Sequence, residues 1–352
     1  MEIDLQTAKE KLKKIELKLK NSPLSQFDPV IIDPEKMKSQ FFPSGLQNWF
    51  DLYSSLTFPS CFLNLEKSAA EQIISEHNLF AKHGEFSSEL FSFGSPLSLL
   101  EEKIQQKINE KSWPKFFIKH STRSPKDSPI LVQKARLAFE KLPNLSAKSL
   151  EDLMIIFTSL IRDHYCMRSG KEAIEFLVSS EKVADVCVYA LEDSKYNVSD
   201  NQIVLREWKC PIPLDAEFRG FVWDGSLNAI CPYYHWFFFP ELVGKEEKIK
   251  SLLSQFFEKE IKPILPSSLK TCQIDFALRN EEVIVIEINP FDGKGLGSFP
   301  ISTGLFLLDN KQDLKVIQYG PLELRIRKNS LSCQELKFRL ESSWKEALKA
   351  YF

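Results

Sequence analysis

An α+β architecture is the expectation for this 352-residue chain, and three features predict it. Residues 272–278 and 283–291 are apolar, β-branched runs separated by Arg279-Asn280-Glu281-Glu282, the pattern of a β-hairpin. A second hairpin is signalled where residues 216–223 and 226–231 flank Asp224-Gly225, a dipeptide suited to a two-residue turn. Residues 98–110, 149–159 and 246–259 carry their apolar side chains at helical spacing.

Taken in order, residues 6–20 predict a helix with Leu12, Ile15 and Leu19 on one face and lysines over much of the rest. Glutamates among those lysines favour a solvated helix over one lying on a membrane surface. Residues 21–43, rich in Pro, Ser and Asp, read as a linker. Residues 47–53 form a short aromatic segment, and residues 61–65 a strand. In 98–110, Leu100, Ile104 and Ile108 recur every four residues. Residues 116–119 are an apolar strand ending in Lys119, followed by a polar loop at 121–127. Ser149 suits the N-cap of the helix that follows it. Residues 183–191 alternate weakly and read as a strand. Residues 203–208 are a β-branched strand that runs into a loop containing Pro211 and Pro213. Helix 246–259 carries Ile249, Leu252, Leu253, Phe256 and Phe257. A glycine-rich loop at 292–297, a late strand at 322–327 and a terminal helix at 333–352 complete the chain.

Composition is that of an ordinary globular protein, with 43% hydrophobic and 27% charged residues. A net charge of −2 gives no global attraction to nucleic acid. The seven cysteines are spread widely with no Cys-x-x-Cys pair, which signals neither a zinc cluster nor a disulfide framework. No apolar run approaches the ~18 residues of a membrane span, and the N-terminus lacks a signal peptide's apolar core. A cytoplasmic protein, monomeric by default, is expected.

The acidic interruptions of the 272–291 hairpin carry the most chemistry. Strand side chains alternate, so Glu287 and Asn289 project from one face, where Asp275 of the partner strand can join them. Two carboxylates and an amide oxygen are hard ligands of the kind Mg²⁺ takes when phosphate and water complete its shell. A solvated hairpin face would also explain a lone acidic residue. Glu-x-Asn closing an apolar run before Pro290-Phe291 fits that reading less well, because a buried carboxylate needs a cation or hydrogen bonds. Lys119, the segment Arg206-Glu207-Trp208-Lys209, and the pair Glu217 and Arg219 on one strand face supply cations, a backbone edge and a polar acceptor. Those are the remaining parts of a nucleoside triphosphate site. The sequence contains no P-loop, and 292–297 matches no Gly-x-Gly-x-x-Gly fingerprint. Its five histidines lack metal spacing.

Across residues 45–330 the ordered motifs resemble the D123 family, cell division cycle protein 123. The resemblance is carried by Phe117-Ile118-Lys119 with Ser124-Pro125-Lys126-Asp127, by Ile203-Val204-Leu205-Arg206-Glu207-Trp208, by Glu217-Phe218-Arg219-Gly220-Phe221-Val222, and by Ile286-Glu287-Ile288-Asn289-Pro290-Phe291. It implies an ATP-grasp fold whose cleft lies between two α+β subdomains. Residues 1–40 would then be a helix and linker, 41–200 the N-terminal and central subdomains, 201–330 the C-terminal subdomain with the metal site, and 331–352 a helix. Lys119 would contact phosphate, Arg206, Glu207 and Trp208 would form the adenine hinge, Glu217 and Arg219 would line the ribose–phosphate side, and Asp275, Glu287 and Asn289 would hold Mg²⁺. Tyr233 stands where the family's pattern has an arginine at the phosphates, which removes a cation. By the same resemblance, ATP and Mg²⁺ are the cofactors. The partner is the γ subunit of eukaryotic translation initiation factor 2, whose assembly such proteins promote. An ATP-grasp ligase forming an acyl-phosphate, or a binding module that no longer uses nucleotide, are the competing expectations.

Overall fold

A computed structural model describes residues 42–192, 197–209, 211–291, 304–307, 310–339 and 348. The helix expected at 6–20, most of the linker at 21–43, the glycine-rich loop at 292–297 and most of the terminal helix lie outside these residues. After a 3-10 turn at Phe42–Ser44 the chain forms α1 (Leu46–Tyr53), β1 (Ser60–Asn64), α2 (Lys67–His83), α3 (Pro96–Lys111) and β2 (Phe116–His120). Four helices follow, α4 (Pro129–Phe139), α5 (Leu150–Asp163), α6 (Gly170–Val178) and α7 (Glu181–Glu192), before β3 (Gln202–Glu207). The remainder is β4 (Glu217–Trp223), β5 (Ser226–Pro232), α8 (Glu246–Phe256), β6 (Cys272–Arg279), β7 (Glu282–Pro290), α9 (Lys311–Tyr319), β8 (Glu323–Leu324) and α10 (Cys333–Arg339).

The expected mixture of helix and antiparallel strand is observed, in two sheets. A three-stranded sheet has the order β1-β3-β2, and a five-stranded sheet the order β7-β6-β4-β5-β8. All pairings are antiparallel except that of β8 with β5. Both expected hairpins form. Trp223 pairs with Ser226 across Asp224-Gly225, and Arg279 with Glu282 across Asn280-Glu281. All four turn residues have positive φ (45°, 76°, 49° and 68°), the two-residue geometry whose twist matches that of the strands.

Period-two alternation divides the large sheet into unlike faces. Phe218, Ile274, Phe276 and Ile288 are buried on one side, where Leu253 of α8 and Phe257 just beyond it are also inaccessible. Phe256 meets the Phe276 ring edge-on at 6.2 Å. Glu217, Arg219, Asp275 and Glu287 occupy the opposite face and turn toward the three-stranded sheet. Where that polar face ends, a smaller core of Phe221, Cys231, Phe291, Phe306 and Ile317 packs beneath α9.

The two sheets meet at the segment before β1. The Val285 N–H donates to the Leu56 carbonyl at 2.8 Å, and the Thr57 hydroxyl to the Val285 carbonyl at 2.6 Å. Arg206, in the centre of the small sheet, reaches across to donate to the Ile286 carbonyl and to Thr57 Oγ1, each at 2.6 Å. This clamp sets the width of the cleft between the sheets.

Two local expectations, those for 183–191 and 322–327, need correction. Residues 183–191 belong to helix α7, because Val183, Val186, Cys187 and Ala190 fall at helical spacing and are all buried, while Asp185 is exposed. The aromatic segment at 47–53 is helical, burying Trp49 and Tyr53 on one side of α1. The late strand at 322–327 pairs only at Glu323 and Leu324, against Ala229 and Ile230. Ser149 caps α5 as expected, within a reciprocal capping box with Asp152.

Candidate functional site

A cavity of about 260 Å³ lies between the two sheets. Its sides follow directly from strand alternation. On the small sheet, Phe117 and Lys119 of β2 and Arg206 of β3 face inward, while Phe116, Ile118 and Leu205 are buried on the other side. The large sheet presents Glu217 and Glu287. Of the nine residues the sequence singles out, six line this space: Lys119, Arg206, Glu207, Trp208, Glu217 and Glu287. Arg219, Asp275 and Asn289 are outside its lining but join it through the sheet, since Asp275 pairs in register with both Arg219 and Glu287.

The polar groups are matched in pairs. Lys119, only 2% exposed, forms an ion pair with Glu287 across the cleft. Burial pushes the Glu287 carboxyl up, but the ammonium groups of Lys119 and Lys126 outweigh it and hold it down to about 2. Glu217 pairs with Arg162 of α5 at 3.1 Å, and both side chains are nearly inaccessible. Arg219 grips Asp275 through two parallel bonds, Nε to Oδ1 at 2.8 Å and Nη2 to Oδ2 at 2.9 Å. The Asn289 amide donates to Asp275 Oδ2 at 3.2 Å. The three oxygen-bearing residues therefore do cluster on one hairpin face, each carboxylate already holding a cationic side chain. Among the described residues no group of three or more His, Cys, Asp or Glu side chains could hold a metal by itself. The donor set suits a hard cation that arrives with phosphate, which would take over the cationic side chains as their carboxylates turn to the metal.

The segment 206–208 is held differently from a free hinge. The Glu207 N–H donates to the Pro59 carbonyl at 2.9 Å and the Trp208 N–H to the Lys115 carbonyl at 3.1 Å. A base placed here would meet carbonyl oxygens and the Trp208 ring, not these two N–H groups. The Arg206 guanidinium serves the clamp described above and packs 5.0 Å from the Phe58 ring centroid.

Several lining residues escape sequence reasoning. Arg162 sits in the last turn of an amphipathic helix, where a basic residue ordinarily complements the helix dipole. Nothing local announces its pairing with Glu217, 55 positions away. Lys126 belongs to a loop fixed by its neighbour Asp127, which accepts from Ser180 Oγ at 2.6 Å and from the Lys182 N–H at 3.0 Å at the start of α7. Burial pulls the Lys126 ammonium down, but Tyr233, Glu217, Tyr165 and Glu287 outweigh it and push it above the ordinary lysine value. Burial also pushes the Tyr165 hydroxyl up to about 12.

Six cationic residues (Lys119, Lys126, Arg162, Arg206, Lys209, Arg279) and three carboxylates (Glu207, Glu217, Glu287) line the cavity. Phe117, Trp208, Ile284 and Ile286 add apolar wall. A cleft with excess positive charge and an apolar side can accept a ligand that is polyanionic at one end and flat or apolar at the other.

Comparison with known proteins gives the fold and the family. Among solved structures, Cdc123 from Schizosaccharomyces pombe is similar in fold, with a TM-score of 0.56 at 19% identity over 82% of this chain and 97% of that one. A C-terminally truncated form of the same protein gives a TM-score of 0.55 at the same identity and coverage. No curated protein matches the sequence itself. The D123 family model matches residues 49–299, which include all nine candidate residues and both sheets apart from β8, and the chain belongs to the D123 family.

Proposed function

We propose that the cavity binds ATP with Mg²⁺ in an ATP-grasp arrangement, and that the protein acts as an assembly chaperone for eukaryotic translation initiation factor 2 through its γ subunit. The observation that carries the nucleotide part is the charge of the cavity, where six cations outnumber three carboxylates beside an apolar wall. A triphosphate would offset that excess, and the apolar wall with Trp208 would receive the base. Lys119 and Lys126 would meet phosphate oxygens, Glu217 the ribose side, and Arg219 the phosphates from beneath. Asp275, Glu287 and Asn289 would hold Mg²⁺, whose role is to neutralise phosphate charge. At present Lys119 and Glu287 satisfy each other. With Mg²⁺–phosphate bound, the ammonium would turn to phosphate and the carboxylate to the metal, leaving no buried charge uncompensated. The chaperone part rests on family membership.

Calorimetric titration of ATP, with and without Mg²⁺, tests the nucleotide part on wild type and Glu287→Gln. The expected result is Mg²⁺-dependent binding weakened at least about tenfold in the variant, the scale of losing one charged contact. Wild type that takes up no ATP overturns it. Association of the purified chain with the isolated γ subunit is expected in a pull-down, and its absence overturns the chaperone part.

A further inference from the structure

Lys126 differs from Lys119 and Arg162 in its surroundings. Lys119 and Arg162 each hold a carboxylate, Glu287 and Glu217 respectively. Among the described residues Lys126 has no ion pair. Its neighbour Asp127 is committed to capping α7. Two rings lie against the Lys126 ammonium, Tyr165 with its centroid 5.8 Å away and Tyr233 at 5.4 Å, while Glu217 and Glu287 act on it without pairing.

We infer that Tyr233, with Tyr165, is a positioning residue that holds Lys126 at the cavity wall as a cation in contact with rings instead of a carboxylate. An aromatic face attracts an ammonium through its quadrupole without supplying a counter-charge. A carboxylate in the same place would bind Lys126 more strongly but would cancel its attraction for an anionic ligand. The rings therefore localise the charge and leave it available.

Both rings are anchored. The Tyr233 N–H donates to the Glu217 carbonyl at 2.8 Å, tying the residue to the edge of β4. Tyr165 follows α5 and packs 6.0 Å from Phe117 of β2. Tyr233 also carries the Arg219 guanidinium 4.8 Å from its centroid. One ring thus gathers two cations, Lys126 at the cavity and Arg219 on the Asp275–Asn289 side. Direct approach of two cations is unfavourable, and the attraction of each to the same ring offsets part of that cost. Tyr233, at the position where a cation had been expected, organises two cations instead of adding one.

The ligand of this device rests on the nucleotide reading above. Calorimetry on the full chain with ATP and with AMP, both with Mg²⁺, compares wild type, Tyr233→Phe, Tyr233→Leu, Lys126→Met and the Tyr233→Leu/Lys126→Met pair. Tyr233→Phe keeps the ring and is expected to bind within twofold of wild type. Tyr233→Leu should weaken ATP about fivefold and AMP less than twofold, because the longer phosphate chain depends more on Lys126. On the Lys126→Met background the leucine should add nothing. Tyr233→Leu binding ATP as wild type does, or losing the same factor on both backgrounds, overturns the inference. Should wild type bind neither nucleotide, the nucleotide reading fails on its own. Urea denaturation of the same variants then decides the positioning role: non-additive midpoints support it, and additive ones overturn it.

Discussion

At the scale of single residues, charge pairing and burial govern the site and its surroundings. His120, next to Lys119, is fully buried, with its Nδ1 2.9 Å from Thr122 Oγ1. Burial, aided by the Lys119 charge, pulls its pKa from 6.5 to about 3. The folded state therefore refuses a proton that the unfolded chain accepts. The contribution to stability is complete above about pH 6.5 and is lost as the pH falls toward 3, by at most about 1.4 kcal/mol per pH unit. His120→Gln should flatten the fall in urea midpoint between pH 6.5 and 4.5. Parallel curves for wild type and variant would show that His120 stays neutral in both states. The sequence places His120 beside Lys119 but says nothing of its burial, since the residue's side of the strand depends on which sheet face receives the helices.

Strands and turns set the next scale. The hairpin β6–β7 was legible because its apolar positions alternate and its turn is polar, and the same alternation put Glu287 and Asn289 on one face. Its turn is not ideal, however. Glu281 takes φ of 68° with a side chain, a conformation that costs roughly 1 kcal/mol relative to glycine. Glu281 also pairs with Lys248, but both side chains are more than 60% exposed, so that contact adds little. Glu281→Gly should raise stability by about 0.5–1 kcal/mol in urea denaturation. A loss of stability would assign the pair with Lys248 more weight than solvent screening allows. The strand expected at 183–191 is helix α7 for a related reason. Short apolar stretches rich in valine satisfy both periods, and only contact with the neighbouring helices selects one.

For the molecule as a whole, the relation between the two sheets decides the shape of the candidate site. The family resemblance puts Arg206 in an adenine hinge, and its guanidinium ties β3 to β7 and to Thr57. Removing it leaves a buried carbonyl and hydroxyl without that donor. Arg206→Leu should therefore cost about 3 kcal/mol of unfolding free energy and loosen the cleft. Urea denaturation with hydrogen exchange at Val285, whose N–H bridges the sheets, measures both. A change below about 1 kcal/mol would mean that the backbone bridge alone holds the sheets together.

The sequence by itself determined the α+β character, both hairpins, the shared face of Glu217 with Arg219, and that of Glu287 with Asn289. All of these follow from local periodicity and turn chemistry, which act over a few residues. Its ordered motifs also pointed to the D123 family. Only the tertiary structure decided that Lys119 meets Glu287, that Arg162 meets Glu217, that Arg206 spans the cleft, and that Tyr165 and Tyr233 flank Lys126. These contacts join positions tens to more than a hundred residues apart. Nothing in the spacing of either partner encodes them, because they exist only once two separately patterned sheets turn their polar faces toward each other.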